Sequence, residues 1–164
     1  MFGFLLTLMH MPALAKYLSN SDRYLFGWTC LVSKVAIVRF DQAEAKSFRR
    51  ALELIGGIED LNTEKRSVTV KVGVFSHKAD NHASTGVVNA IVDSFGKAPT
   101  IFIAESDNYK GTGSERLQIW NELFDDRVIP FNLSNDAETK EVKLADEKMN
   151  LAHILFKPNI LVST

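Results

Sequence analysis

The sequence predicts a three-layer α/β/α domain built on a mainly parallel sheet. Three observations carry that expectation: short β-branched runs recur along the chain, amphipathic stretches of helical period separate them, and the connections are short. At 164 residues the chain fits one domain. A chain of that length buries roughly two-thirds of the surface its unfolded form exposes.

The regular pattern starts at Lys34. "KVAIVRF" (34–40) has the β-branched composition of a buried strand, and "QAEAKSFRRALELIGG" then places Ala45, Phe48, Leu52 and Ile55 at helical spacing before Gly56 and Gly57. "SVTVKVGVF" (67–75) reads as the second strand, and "STGVVNAIVDSFG" as a helix with Val87, Val88, Ile91, Val92 and Phe95 on one stripe. "PTIFIAE" (99–105) is the third strand. Its helix, "SERLQIWNELF", turns Leu117, Trp120 and Phe124 inward, with Thr112 and Glu115 at capping-box spacing. "RVIPFNL" follows as a fourth strand, in which Pro130 argues for an edge position or an early break. "TKEVKL" alternates like a half-exposed strand, and "NILVST" is a last apolar one. The whole reads as a Rossmann-like domain over residues 34–164.

Residues 1–33 form an apolar N-terminal extension. Its small triplet Ala13, Leu14, Ala15 after an apolar run is reminiscent of a secretory signal, but no Lys or Arg precedes the run, and His10 and Pro12 interrupt it. Lys16 arrives well short of the ~20 apolar residues a spanning helix requires. A packed N-terminal helix, or an extension upstream of a start near "SKVAIVRF", fits better.

Nineteen basic and twenty acidic residues give a formal charge of -1 without a long run of either sign, so no general attraction to nucleic acid or anionic lipid is expected. The single cysteine, Cys30, forms no internal disulfide and supplies only one of the four thiolates usual for an iron–sulfur cluster. A reducing, cytoplasmic location is the simplest expectation.

Ligands of parallel sheets collect outside the carboxyl ends of the strands. Two polar loops belong there: "SHKADNHASTG" after the second strand and "SDNYKGTG" after the third. The first offers Lys78, Ser84 and Thr85 at a helix N-terminus, which favours an anion; the two hydroxyl residues equally suit plain helix capping. The second offers Glu105, Ser106 and Asp107, then Gly111, Thr112 and Gly113. Neither has the P-loop spacing or the dinucleotide glycine fingerprint. Glu105 and Asp107 are the candidate proton-transfer groups, although a continuing strand would put them on opposite sides. The oxygen-rich "ESD" suits magnesium or manganese, and equally a hydrated loop, so no metal ligand is assigned. His77 and His82 read as surface histidines, His153 as a packed, hydrogen-bonded ring, and Cys30 as structural or incidental.

The order "VTVKVGVF", "STGVVNAIVDSF", "PTIFIAESDNYKGTGSERLQIWNEL", "RVIPFNLSNDAETKEVKL", "HILFKPNILVST" resembles the family catalogued as domain of unknown function 362. Lys71, Thr85, Glu105, Ser106, Asp107, Gly111 and Thr112 are the positions that match its pattern. The resemblance implies an α/β domain that some relatives combine with ferredoxin-type iron–sulfur modules, whose cysteines are missing here. It also implies that similar proteins continue beyond "NILVST", so the chain reads as an N-terminal half truncated at its C-terminus.

Two expectations follow. In one, the chain is an enzyme, or half of one, acting on a small anionic metabolite: Lys71, Lys78, Ser84, Thr85, Ser106, Gly111 and Thr112 bind, and Glu105 or Asp107 moves a proton or holds a metal. In the other, it is a non-catalytic module completed by a second copy, an iron–sulfur partner or a further half-domain. The cofactor is left unknown. Both loops must open side by side for the first to hold.

Overall fold

A computed structural model describes residues 3–5, 7–8, 35–39, 43–78, 80–157 and 159–164. In chain order the elements are β1 (Gly3–Leu5), β2 (Thr7–Leu8), β3 (Ile37–Arg39), α1 (Glu44–Ile55), β4 (Ser67–Lys71), β5 (Val74–Ser76), β6 (Asn81–His82), α2 (Thr85–Ser94), β7 (Ile101–Glu105), α3 (Gly113–Leu117), β8 (Val128–Asn132), β9 (Thr139–Leu144), β10 (Glu147–Ala152) and β11 (Asn159–Ser163). The main sheet has the order β2-β11-β4-β7-β8. Its last four strands are mutually parallel, and β2 pairs antiparallel with β11. The expected α/β class with a parallel sheet is thus observed. Pro130 sits in β8, which ends the order, where a missing backbone donor costs least.

The register explains where the core lies. Val68, Ile101 and Val128 are paired neighbours, as are Val70 and Ile103, while Ile160 and Val162 stand beside Val68 and Val70, so all share one face. That face meets Phe48 and Leu52 of α1, Val88 and Ile91 of α2, and Leu117 and Trp120 in one buried cluster. The stripes read from the sequence are the stripes that pack. Gly56 and Gly57 end α1 with φ of 100° and 82°, a left-handed backbone that suits glycine. The opposite face carries Phe102, Ile129, Phe131 and Leu161, of which Ile129 and Leu161 remain exposed.

Four expectations change. The segment 34–40 does not enter the parallel sheet: β3 pairs antiparallel with β1, and Val35 and Ile37 are exposed. Both places beside β4 are taken by β11 and β7, so a strand-like composition finds another partner. The strand 67–75 is two: after Val72 the chain turns into the β5–β6 hairpin. Gly73 lies at that turn because the chain end passes against it, its N–H donating to Thr164 Oγ1 at 3.2 Å, and an added Cβ would sit 3.0 Å from the Thr164 carbonyl. The third helix is short; beyond Leu117 it tightens to a three-ten turn in which Trp120 (φ -107°, ψ 21°) departs from helical geometry. Finally, the start of the N-terminal extension is extended rather than helical, because β1 and β2 fill open positions on β3 and β11. Cys30, Lys34, Phe40 and residues 9–33 of the extension lie outside the described residues.

"TKEVKL" is β9, and it forms a ribbon with β10, an element that the sequence pattern did not suggest. "NILVST" is β11, flanked by β4 and β2.

Candidate functional site

Lys71, Glu105 and Asn132 end three adjacent parallel strands, so their side chains reach the carboxyl edge together. Glu105 is nearly buried, and burying a carboxylate requires partners for both oxygens. Its Oε1 accepts from Lys71 Nζ at 3.3 Å, from the Ser106 N–H at 2.8 Å and from Ser106 Oγ at 3.3 Å. Its Oε2 accepts from the Val74 N–H at 3.4 Å. The Arg116 guanidinium stands 3.8 Å from Oε1 and also donates to the carbonyls of Val74 and Ser106. Arg116 is 2 % exposed, whereas the Lys71 side chain is 45 % exposed. One carboxylate therefore answers two cations, and only Lys71 opens to solvent.

The two loops do meet. Asn108 Nδ2 donates to the Phe75 carbonyl at 3.2 Å, and the rings of Phe75 and Tyr109 contact edge to face at 5.5 Å. The chain turns directly after Glu105, and Asp107 becomes a loop organiser. Its Oδ1 accepts from the Gly113 N–H at 2.7 Å and from Asn132 Nδ2 at 2.8 Å, while its own N–H donates to Ser134 Oγ at 2.9 Å. The Gly113 backbone bond, and after it the Asn132 bond, hold the Asp107 carboxyl below its ordinary range. Gly113 permits this approach, since an added Cβ would lie 2.6 Å from Asn132 Oδ1 and 2.7 Å from the Glu105 carbonyl. Thr112 and Glu115 form the expected capping box, with Thr112 N–H to Glu115 Oε2 at 2.9 Å and Glu115 N–H to Thr112 Oγ1 at 3.2 Å. The backbone bond to Thr112, and secondarily its hydroxyl, lower the Glu115 pKa, with smaller help from His77 and Lys78. Gly111 has φ 149° at the turn closed by Asn108.

The N-terminus of α2 is arranged differently. Ser84 Oγ donates to Glu44 Oε2 at 2.5 Å, and Gly86 leaves room for that carboxylate, because an added Cβ would fall 1.7 Å from Glu44 Oε2. The anion position expected of Ser84 and Thr85 is thus occupied by a carboxylate of the chain itself, from the start of α1. Ser84 makes no side-chain cap bond, and Thr85 is exposed as the first residue of α2. Lys78 is exposed, its N–H bonded to Ser76 Oγ at 3.2 Å.

Of the residues expected to act together, the edge unites Lys71, Glu105, Ser106 and Asp107, with Gly111 and Thr112 shaping the loop and Ser84 engaged elsewhere. Sequence reasoning passed over Arg116, whose charge gave no sign that it would be buried, and Glu44, which lies 40 residues from its partner Ser84. It also set His77 aside as a surface residue; the ring packs beside Gly111 with Nδ1 buried and unpartnered. His82 Nδ1 lies 2.9 Å from the Ala83 carbonyl, and its ring contacts Trp120. His153 bonds Glu138 at 2.5 Å. Among the described residues, no three His, Cys, Asp or Glu side chains are placed to hold a metal ion, and no helix is long and apolar enough to cross a membrane.

No family model, curated protein or solved structure matches the chain.

Proposed function

We propose that the chain binds a small anionic metabolite at the carboxyl edge of its sheet, with Lys71 as the cation that meets it. The observation that carries this reading is the arrangement around Glu105: its buried carboxylate meets the buried Arg116, which also acts on Asp107, and the half-exposed Lys71, which faces solvent. A buried Arg116 holds Glu105 in place, so Lys71 can exchange part of its interaction for an incoming anion without stranding a buried charge. The Ser106 hydroxyl, 3.3 Å from Glu105 Oε1, supplies a polar neighbour. Chemistry at the edge would fall to Glu105, which Lys71 contacts, or to Asp107 in the loop that follows it. Membership of an enzyme working beside iron–sulfur proteins rests on the family resemblance, with the cluster supplied by the partner.

Titration calorimetry with inorganic phosphate tests the reading. Lys71→Gln should weaken binding by about tenfold or more, the scale of a lost charge-assisted contact. Because Lys71 is half exposed, the same change should alter unfolding free energy by less than about 1 kcal/mol. An isotherm identical to wild type would remove Lys71 from the site; the absence of any phosphate binding by the wild-type chain would remove the reading itself.

A second reading draws on the sheet face bearing Phe102, Ile129, Phe131 and Leu161, two of them exposed. In that reading a partner covers this face, completes the three-layer Rossmann-like arrangement, and makes the chain an interaction module.

A further inference from the structure

The loops that flank Glu105 end in an aromatic pair whose presence the charge cluster does not explain. Tyr109 occupies the tip of a tight turn, closed by reciprocal backbone bonds between Asn108 and Gly111 at 3.1 and 3.2 Å. Asn108 Nδ2 ties that turn to the Phe75 carbonyl at 3.2 Å, and Oδ1 of the same residue accepts from the Lys110 N–H at 2.7 Å. The tip is therefore braced on both sides. Phe75 supports Tyr109 edge to face at 5.5 Å, yet Tyr109 stays 79 % exposed and Phe75 45 %. Aromatic rings held this firmly present apolar area to solvent with little entropy left to lose, which is what a stacking surface requires. A cation stands beside it. Lys110 Nζ lies 5.1 Å from the centre of the Tyr109 ring, and Lys78, three positions after Phe75, is exposed. The aromatic pair is also continuous with the anion site: Val74, the residue before Phe75, gives its N–H to Glu105 and its carbonyl to Arg116.

Resting on the anion-binding reading above, we infer that the ligand is a planar aromatic anion: its ring stacks on the Phe75–Tyr109 pair while its phosphate or carboxylate meets the lysines of the same edge. Stacking supplies the ring selectivity, because an aliphatic or ring-free anion gains nothing from an aromatic face. The lysines supply the charge requirement.

The test compares phenyl phosphate with inorganic phosphate by calorimetry on the full chain. The wild type should bind phenyl phosphate about tenfold tighter, the scale of one stacked ring. Tyr109→Ala, a change at an exposed turn tip that folding tolerates, should abolish that preference, and Tyr109→Phe should keep it. Equal affinities in the wild type, with inorganic phosphate bound, would overturn the aromatic assignment and leave the anion site standing. So would a preference that survives Tyr109→Ala. Failure of both ligands to bind would overturn the assignment together with the reading beneath it.

Discussion

Two places in this molecule gather the same ingredients, a helix start, hydroxyl side chains and a glycine, and use them differently. At the N-terminus of α2 the chain inserts its own Glu44, which bonds Ser84 and fills the space left by Gly86. At the end of β7 it inserts Glu105, but there the carboxylate meets two full positive charges, the buried Arg116, which also acts on Asp107, and the half-exposed Lys71. The partial charge of a helix end is answered by a single carboxylate. One guanidinium and one ammonium group are not answered by Glu105 alone. A helix N-terminus thus says little about a ligand until the protein's own anions have been counted, and it is at the β7 edge that a cation, Lys71, stays open to solvent.

The comparison breaks most visibly at Arg116. Arg116→Ala leaves the Val74 and Ser106 carbonyls without their donor and Glu105 with one cation fewer, so urea denaturation should show a loss of about 3–5 kcal/mol, the range for breaking a buried pair. A loss below about 1 kcal/mol would mean that Glu105 is held by its backbone donors and Lys71 alone.

A smaller, sharper effect is expected at α2. Gly86→Ala should destabilise the wild type by about 1 kcal/mol, because its Cβ expels the Glu44 carboxylate from the helix start. In a Glu44→Ala background the same substitution should turn stabilising by some tenths of a kcal/mol, since alanine is then only a better helix former than glycine. A double-mutant cycle measures the reversal, and additive effects would mean that the carboxylate does not occupy that site.

The mildest effect concerns acid. Asp107 and Glu115 have folded-state pKa values below their unfolded ones, so each stabilises the fold fully above the ordinary carboxylate range near pH 4 and loses that contribution as pH falls through the lowered value. Urea midpoints should be flat from neutral pH to about 5 and decline below it, and Asp107→Asn should flatten the decline. A decline of unchanged steepness in that variant would assign the acid sensitivity to other carboxylates.

Much of the architecture was legible because it follows from short-range preferences. Phe48 and Leu52, Val88 and Ile91, and Leu117 and Trp120 pack as their spacing requires, and Gly56 ends α1 in the conformation that its lack of a Cβ allows. Thr112 and Glu115 cap each other across three residues, and Pro130 keeps β8 at the edge. What escaped depends on residues distant in the chain. The strand-like run around Ile37 gave no hint that β11 and β7 would take both places beside β4, nor did "SVTVKVGVF" show that Thr164 would press against Gly73 and turn the chain into a hairpin. The site divides in the same way: the polar loop after β7 was recognisable as a loop, but the β5–β6 hairpin within the other was not.

By itself, then, the order of residues determined the first two helices, the stripes they bury, the capping box and the polar loop after β7, since each is settled by neighbours within a few positions. Only the tertiary structure decided which strands pair, that Glu44 closes one anion position, and that Arg116 is buried against Glu105 while Lys71 stays open to water. Those outcomes depend on competition among long-range partners for a few hydrogen-bonding and charge-pairing places, and that competition has no trace in local sequence.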